Sequence, residues 1–119
     1  MNALAGILIA LVAVLHLGFL VMEMFLWTTP GVRRKFGLSE EFASATKSLA
    51  ANQGLYNGFL AAGLVWGLIA GQDGLAPKVF FLTCVIVAGL FGAATVKRSI
   101  LFIQAAPAAI ALACVLLAR

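Results

Sequence analysis

A chain of 119 residues that is 64% hydrophobic and 10% charged, with mean hydropathy +1.12, has too little polar surface to cover a water-soluble domain of its size, because small domains bury the smallest fraction of their area. Lipid is therefore the expected solvent, and a single four-span membrane domain over residues 1–119 the expected organisation. The net charge of +4 raises nucleic acid or acidic lipid as partners, but base readout needs polar surface that this chain lacks, so the cations are assigned to loops that orient the chain in a bilayer.

Four apolar spans follow in chain order. The first covers residues 3–27 and ends at Thr28-Thr29-Pro30-Gly31, where Pro and Gly stop a helix. It carries no Lys or Arg before its apolar run and no small-residue cleavage site after it, so it reads as a retained helix rather than a signal peptide. Val32-Arg33-Arg34-Lys35 and Phe36-Gly37-Leu38 come next. Ser39-Glu40-Glu41-Phe42 then reads as a helix start, with Ser39 as cap and two carboxylates at the positive dipole end. That helix is expected to pass Lys47 and continue into the second span, residues 49–70. Gly71-Gln72-Asp73-Gly74 is a turn. Ala76-Pro77-Lys78 opens the third span, residues 79–96, with Pro77 tolerated in a first turn, and Lys97-Arg98-Ser99 connects tightly to the fourth, residues 100–118. Barrel strands are excluded, since the spans are apolar on all sides instead of alternating. The fold class is thus all-α, a four-helix transmembrane bundle.

The basic residues set its orientation. Arg33, Arg34, Lys35, Lys47, Lys97 and Arg98 fall on one side, against Lys78 and Arg119 on the other. The positive-inside rule then puts the first and third loops in the cytoplasm and both termini in the periplasm of a bacterial inner membrane.

Glu23 is the most informative residue. An acidic side chain within an apolar run costs roughly 2.5–3.5 kcal/mol at a helix centre, and it persists only where it faces protein or water. His16, the only histidine, lies two turns upstream on nearly the same face, about 10 Å along the axis. In this topology Glu23 shares its depth with Asn52, Gln53, Tyr56 and Asn57 at the start of span two. Asn52 with Tyr56, and Gln53 with Asn57, are four apart and stack on one helical face each. The functional reading is a cytoplasm-facing polar pocket: Glu23 as its charge, His16 as its floor, Trp27 and Tyr56 as its walls. The plainer reading is that these groups hydrogen-bond one another and hold the helices together. Trp27 alone suits an interfacial belt.

Gly54 and Gly58, then Gly63, Gly67 and Gly71, form ladders that let backbones approach closely. They bury span two inside the bundle or pair it with a second copy as a homodimer. Cys84 and Cys114 are expected as inert thiols at apolar depth. One histidine with one carboxylate offers too few ligands for a metal, and no phosphate loop or dinucleotide fingerprint is present, so no cofactor is expected.

The stretch Ala50-Ala51-Asn52-Gln53-Gly54-Leu55-Tyr56-Asn57-Gly58-Phe59-Leu60-Ala61-Ala62-Gly63 resembles the signature of domain-of-unknown-function family 1304, small four-helix bacterial membrane proteins. His16, Glu23-Met24-Phe25-Leu26-Trp27, Pro30-Gly31 and Phe36-Gly37-Leu38 are similar to the first half of the same family. The resemblance implies the fold, a membrane location and a shared centre at His16, Glu23, Asn52, Gln53, Tyr56 and Asn57; it implies no activity. A weaker, architectural likeness is to small multidrug-resistance exporters, which also have four helices and a working glutamate in the first. Here Glu23 sits nearer the cytoplasmic end than that mechanism prefers, and the Asn-Gln-Gly motif is foreign to those exporters.

The function expected on this basis is binding, extending to transport, of a small polar or amphiphilic ligand around Glu23. The alternatives are an intramembrane enzyme using Glu23 and His16 as acid and base on a lipid-like substrate, and a structural or accessory membrane subunit.

Overall fold

The computed structural model describes residues 2–118, which are helical almost throughout and contain no strand. In chain order the helices are α1 (Ala3–Met24), α2 (Pro30–Phe36), α3 (Glu40–Ala45), α4 (Lys47–Ile69), α5 (Leu75–Thr95) and α6 (Ala106–Ala118). A 3₁₀ turn (Gly71–Gly74) leads into α5, and a π-helical turn (Leu101–Ala105) leads into α6. Among the described residues three segments are long and apolar enough to cross a membrane: Ala3–Met24, Gly71–Thr95 and Leu101–Ala118. α4 has the length, at 23 residues, but Lys47, Asn52, Gln53 and Asn57 make its first half too polar to join them.

Two compact units divide the described chain. One, the core unit, takes residues 2–14 and 60–118; the other, the polar unit, takes residues 15–59.

The core unit is packed around Ile9, Val12, Leu64, Leu82, Val85 and Val115, interleaved with Ala5, Ala108 and Ala111, all essentially inaccessible. Small residues where backbones meet are the usual means of packing helices in lipid, where apolar surface gains nothing by leaving the solvent. Gly89 shows how close the approach is: a Cβ added there would lie 2.7 Å from the Ala105 nitrogen and 2.9 Å from its Cα. The π turn beside it has an identifiable cause. Pro107 has no N–H and its ring collides with the carbonyl four residues back, so the α-pattern cannot be carried through residue 103. The chain widens by one residue instead, with the Ala106 N–H bonded to the Leu101 carbonyl.

Lys78 is nearly fully buried in this unit, and its Nζ donates to the Gly71 carbonyl at 3.0 Å. A lysine is rarely buried without a partner, and here the cation meets a carbonyl just past the C-terminus of α4, where the helix dipole favours positive charge. The sequence placed Lys78 among the loop cations; the fold withdraws it from them. Gly63 and Gly67 of α4 are filled by Phe81 and Lys78, and Cys84 and Cys114 are free thiols.

In the polar unit the chain departs from expectation twice. The first span stops at Met24 rather than continuing to Trp27, and Pro30-Gly31 opens a helix instead of closing one, because Pro is pre-set for the first helical position. α2 then ends on Gly37 in the left-handed region (φ 66°), with Leu38 N–H bonded to the Arg33 carbonyl at 2.8 Å. Ser39 caps α3 as its position suggested, accepting from Phe42 N–H at 3.0 Å. The expected continuous helix through Lys47 is broken at Thr46, whose backbone leaves the helical region (φ −103°, ψ 6°) and whose hydroxyl turns back to the Phe42 carbonyl.

Candidate functional site

The site is built inside the polar unit from the last turns of α1 and the first half of α4. On the first half of α4 the buried positions are Ala50, Gly54 and Asn57, a stripe at spacings of four and three that marks the inward face. Gly54 permits the approach. A Cβ there would stand 3.1 Å from the Glu23 Cβ, 3.2 Å from the Leu20 carbonyl and 2.7 Å from the Met24 Cγ. Gly58 lies in the same way against Leu20. With the two backbones drawn together, Asn57, almost fully buried, donates from Nδ2 to Glu23 Oε1 at 2.6 Å. Glu23 itself is half-buried, and among the described residues nothing bonds its second carboxyl oxygen.

The remaining expected site residues are distributed differently. His16 is buried, 1% exposed, and meets the Phe19 ring edge-to-face at 5.2 Å. Asn52, Gln53 and Tyr56 are exposed, so of the two four-residue pairs on α4 only Asn57 turns inward. Tyr56 pairs with Phe59, rings 6.1 Å apart, on the outer side of the helix. Trp27 is committed to the fold of its own unit: its Nε1 donates to Thr46 Oγ1 at 3.0 Å, and its ring lies 5.7 Å from that of Phe36. It braces the α2–α3 segment where a pocket wall was expected. Thr46, which the sequence reading passed over, is the acceptor that makes this brace. Among the described residues no group of three or more His, Cys, Asp or Glu side chains gathers to hold a metal.

This arrangement spans the region that a family model matches. Residues 10–116 match the model described as protein of unknown function (DUF1304), which takes in every residue from His16 to Asn57 and most of the core unit. The chain belongs to that family. It is also similar to the uncharacterized protein YpaA of Lactococcus lactis subsp. lactis (strain IL1403), at 29% identity over 114 residues, covering 94% of this chain and 96% of that protein. No solved structure matches. Membership in DUF1304 assigns no chemistry to the site.

Proposed function

We propose that the protein is a multi-pass bacterial inner-membrane protein that binds a small amphiphilic ligand, with a cationic or hydrogen-donating head, at Glu23. The observation that carries the reading is the half-open carboxyl group. One oxygen is fixed by a buried amide, and the other is left to a ligand or an exchangeable proton. A fixed acceptor at the end of a membrane-length helix orients the polar end of a ligand whose apolar part stays in lipid. In this reading α4 is also a membrane span, the second in chain order, and the first and third loops are cytoplasmic. The burial of Lys78 sharpens the charge asymmetry, since it leaves the opposite side with even less free positive charge. The partners are the bilayer and the ligand. The glycines of α4 are filled from within the chain, which supports packing inside one copy over pairing with a second.

A second reading has its own observation. Asn57 is buried and bonded, which is what a structural lock between helices requires. One experiment separates the two. Dicyclohexylcarbodiimide, an apolar reagent for carboxyl groups, should label Glu23 in the protein in micelles, and tetraphenylphosphonium or a long-chain amine should slow the labelling. Glu23→Gln should remove the label and the binding of that cation while leaving the protein folded, because a glutamine oxygen still accepts from Asn57. Unaltered cation binding by Glu23→Gln, or labelling that no cation slows, would refute the ligand reading and leave the lock.

A further inference from the structure

The α2–α3 segment carries a second feature, independent of Glu23. Only residues 25–29 separate the end of α1 from α2, and they are folded tightly, with Phe25 N–H bonded to the Val21 carbonyl and Thr29 N–H to the Leu26 carbonyl. α2 is therefore held close to the end of a membrane-length helix, within the reach of a headgroup layer. Its last turn is Arg33-Arg34-Lys35. Arg33 is partly used, its Nε donating to the Thr28 carbonyl at 3.2 Å. Arg34 and Lys35 are exposed and make no ion pair among the described residues. The acidic groups of the segment, Glu40 and Glu41, are placed in the first turn of α3, where the helix dipole suits them. Flanking the cations along the chain are large exposed apolar side chains: Phe25 at 69%, Phe42 at 54% and Phe36 at 45%. Nucleic acid or a soluble acidic protein would match the charge and leave these rings in water. A molecule with an anionic head and apolar tails matches both.

We infer that Arg34 and Lys35, with Phe36 and Phe42 beside them, form a binding site for an anionic phospholipid, the cations on its phosphate and the rings at the acyl boundary. The charge complementarity and the apolar rim point to a lipid and not to a free anion.

The test uses the full chain purified in uncharged maltoside micelles and titrated, by native mass spectrometry, with phosphatidylglycerol, with phosphatidylcholine of the same acyl chains, and with inorganic phosphate. Wild type should bind phosphatidylglycerol more tightly than phosphatidylcholine. Arg34→Gln/Lys35→Gln should weaken phosphatidylglycerol binding about 30-fold, about fivefold for each cation, and leave phosphatidylcholine binding unchanged. Arg34→Lys/Lys35→Arg should retain the preference. If the double variant fails to fold, the two single variants carry the same comparison. Equal binding of the two lipids by wild type, full phosphatidylglycerol affinity in the glutamine variant, or free phosphate binding as tightly as the lipid would each overturn the proposal. Glu23→Gln should keep the lipid preference, so failure of the ligand reading and failure of this one are distinguishable.

Discussion

The Asn57–Glu23 bond can be weighed by a double-mutant cycle with Glu23→Leu, Asn57→Leu and the double variant. The single changes should be unequal. Removing Glu23 strands an amide that is 5% exposed, and an unsatisfied buried polar group costs about 1–3 kcal/mol. Removing Asn57 leaves a carboxyl that is only half-buried and can turn toward water, so only the bond is lost. Side-chain transfer terms cancel in the cycle, and the coupling that remains reports the bond itself. Polar bonds between membrane helices average about 0.6 kcal/mol and reach about 1.7. With a short bond and a buried donor, the coupling should fall in the upper half of that range, about 1–1.7 kcal/mol. Unfolding by sodium dodecyl sulfate from maltoside micelles, followed by circular dichroism, gives all four stabilities. Glu23→Gln belongs in the series as the control that keeps an acceptor, and it should cost far less than Glu23→Leu. A coupling below about 0.3 kcal/mol, half the average for such bonds, would show that the pair does not join the helices. Equal losses for the glutamine and leucine variants would show that hydrogen bonding is not what position 23 supplies.

Gly89→Ala should destabilise the protein in the same assay: its Cβ meets backbone atoms of Ala105, and overpacking of about 1–3 kcal/mol exceeds the helix-propensity gain of about 1 kcal/mol. Gly18→Ala, with nothing within 4 Å, should be neutral or stabilising, and a reversal of that order would refute the close packing of α5 on the π turn. Amine acetylation of the folded protein should mark Lys35, Lys47 and Lys97 and spare Lys78 until detergent unfolds the chain; early modification of Lys78 would contradict its burial. Trp27→Phe keeps the ring on Phe36 and removes the bond to Thr46, so amide exchange should quicken across residues 40–46 with a loss of about 1 kcal/mol. Unchanged exchange there would show that the ring alone holds the segment.

Helix content, three of the four apolar spans and the Ser39 cap were legible in the sequence because each rests on local chemistry: apolar run length, turn residues, an oxygen before a helix. Glu23 stood out for the same reason, as one carboxyl group in a greasy run. What stayed hidden depends on partners distant in sequence or on rotation about a helix axis. Spacing told that Gln53 and Asn57 share a face of α4, and it did not tell that only Asn57 would be buried. Trp27 carried the composition of a belt residue, and its bond to Thr46 appears only when α3 and α4 break apart at that threonine. Lys78 looked like one more loop charge, since nothing in the residues around it announces that the Gly71 carbonyl lies within reach. The π turn had a signal that was missed: Pro107, seven residues into the fourth span, must disturb the helix before it.

The choice of a carboxyl group at position 23 is the strongest argument that the site does more than join helices. A lock needs an acceptor for the Asn57 amide and nothing else. Glutamine would supply that acceptor through the same atom position, without an ionisable group at the end of a membrane-length helix and without the burial cost such a group brings. The fold also gives the carboxyl more room than a lock requires, since one oxygen is bonded and the other has no partner among the described residues. Elsewhere the chain treats polar groups differently. Lys78 is tied to a backbone carbonyl, Thr83 and Thr95 return their hydroxyls to carbonyls one turn back, and Thr46 does the same while receiving Trp27. Against those closed groups, Glu23 is half closed, and a half-closed acid is what proton or cation exchange needs and what packing alone does not.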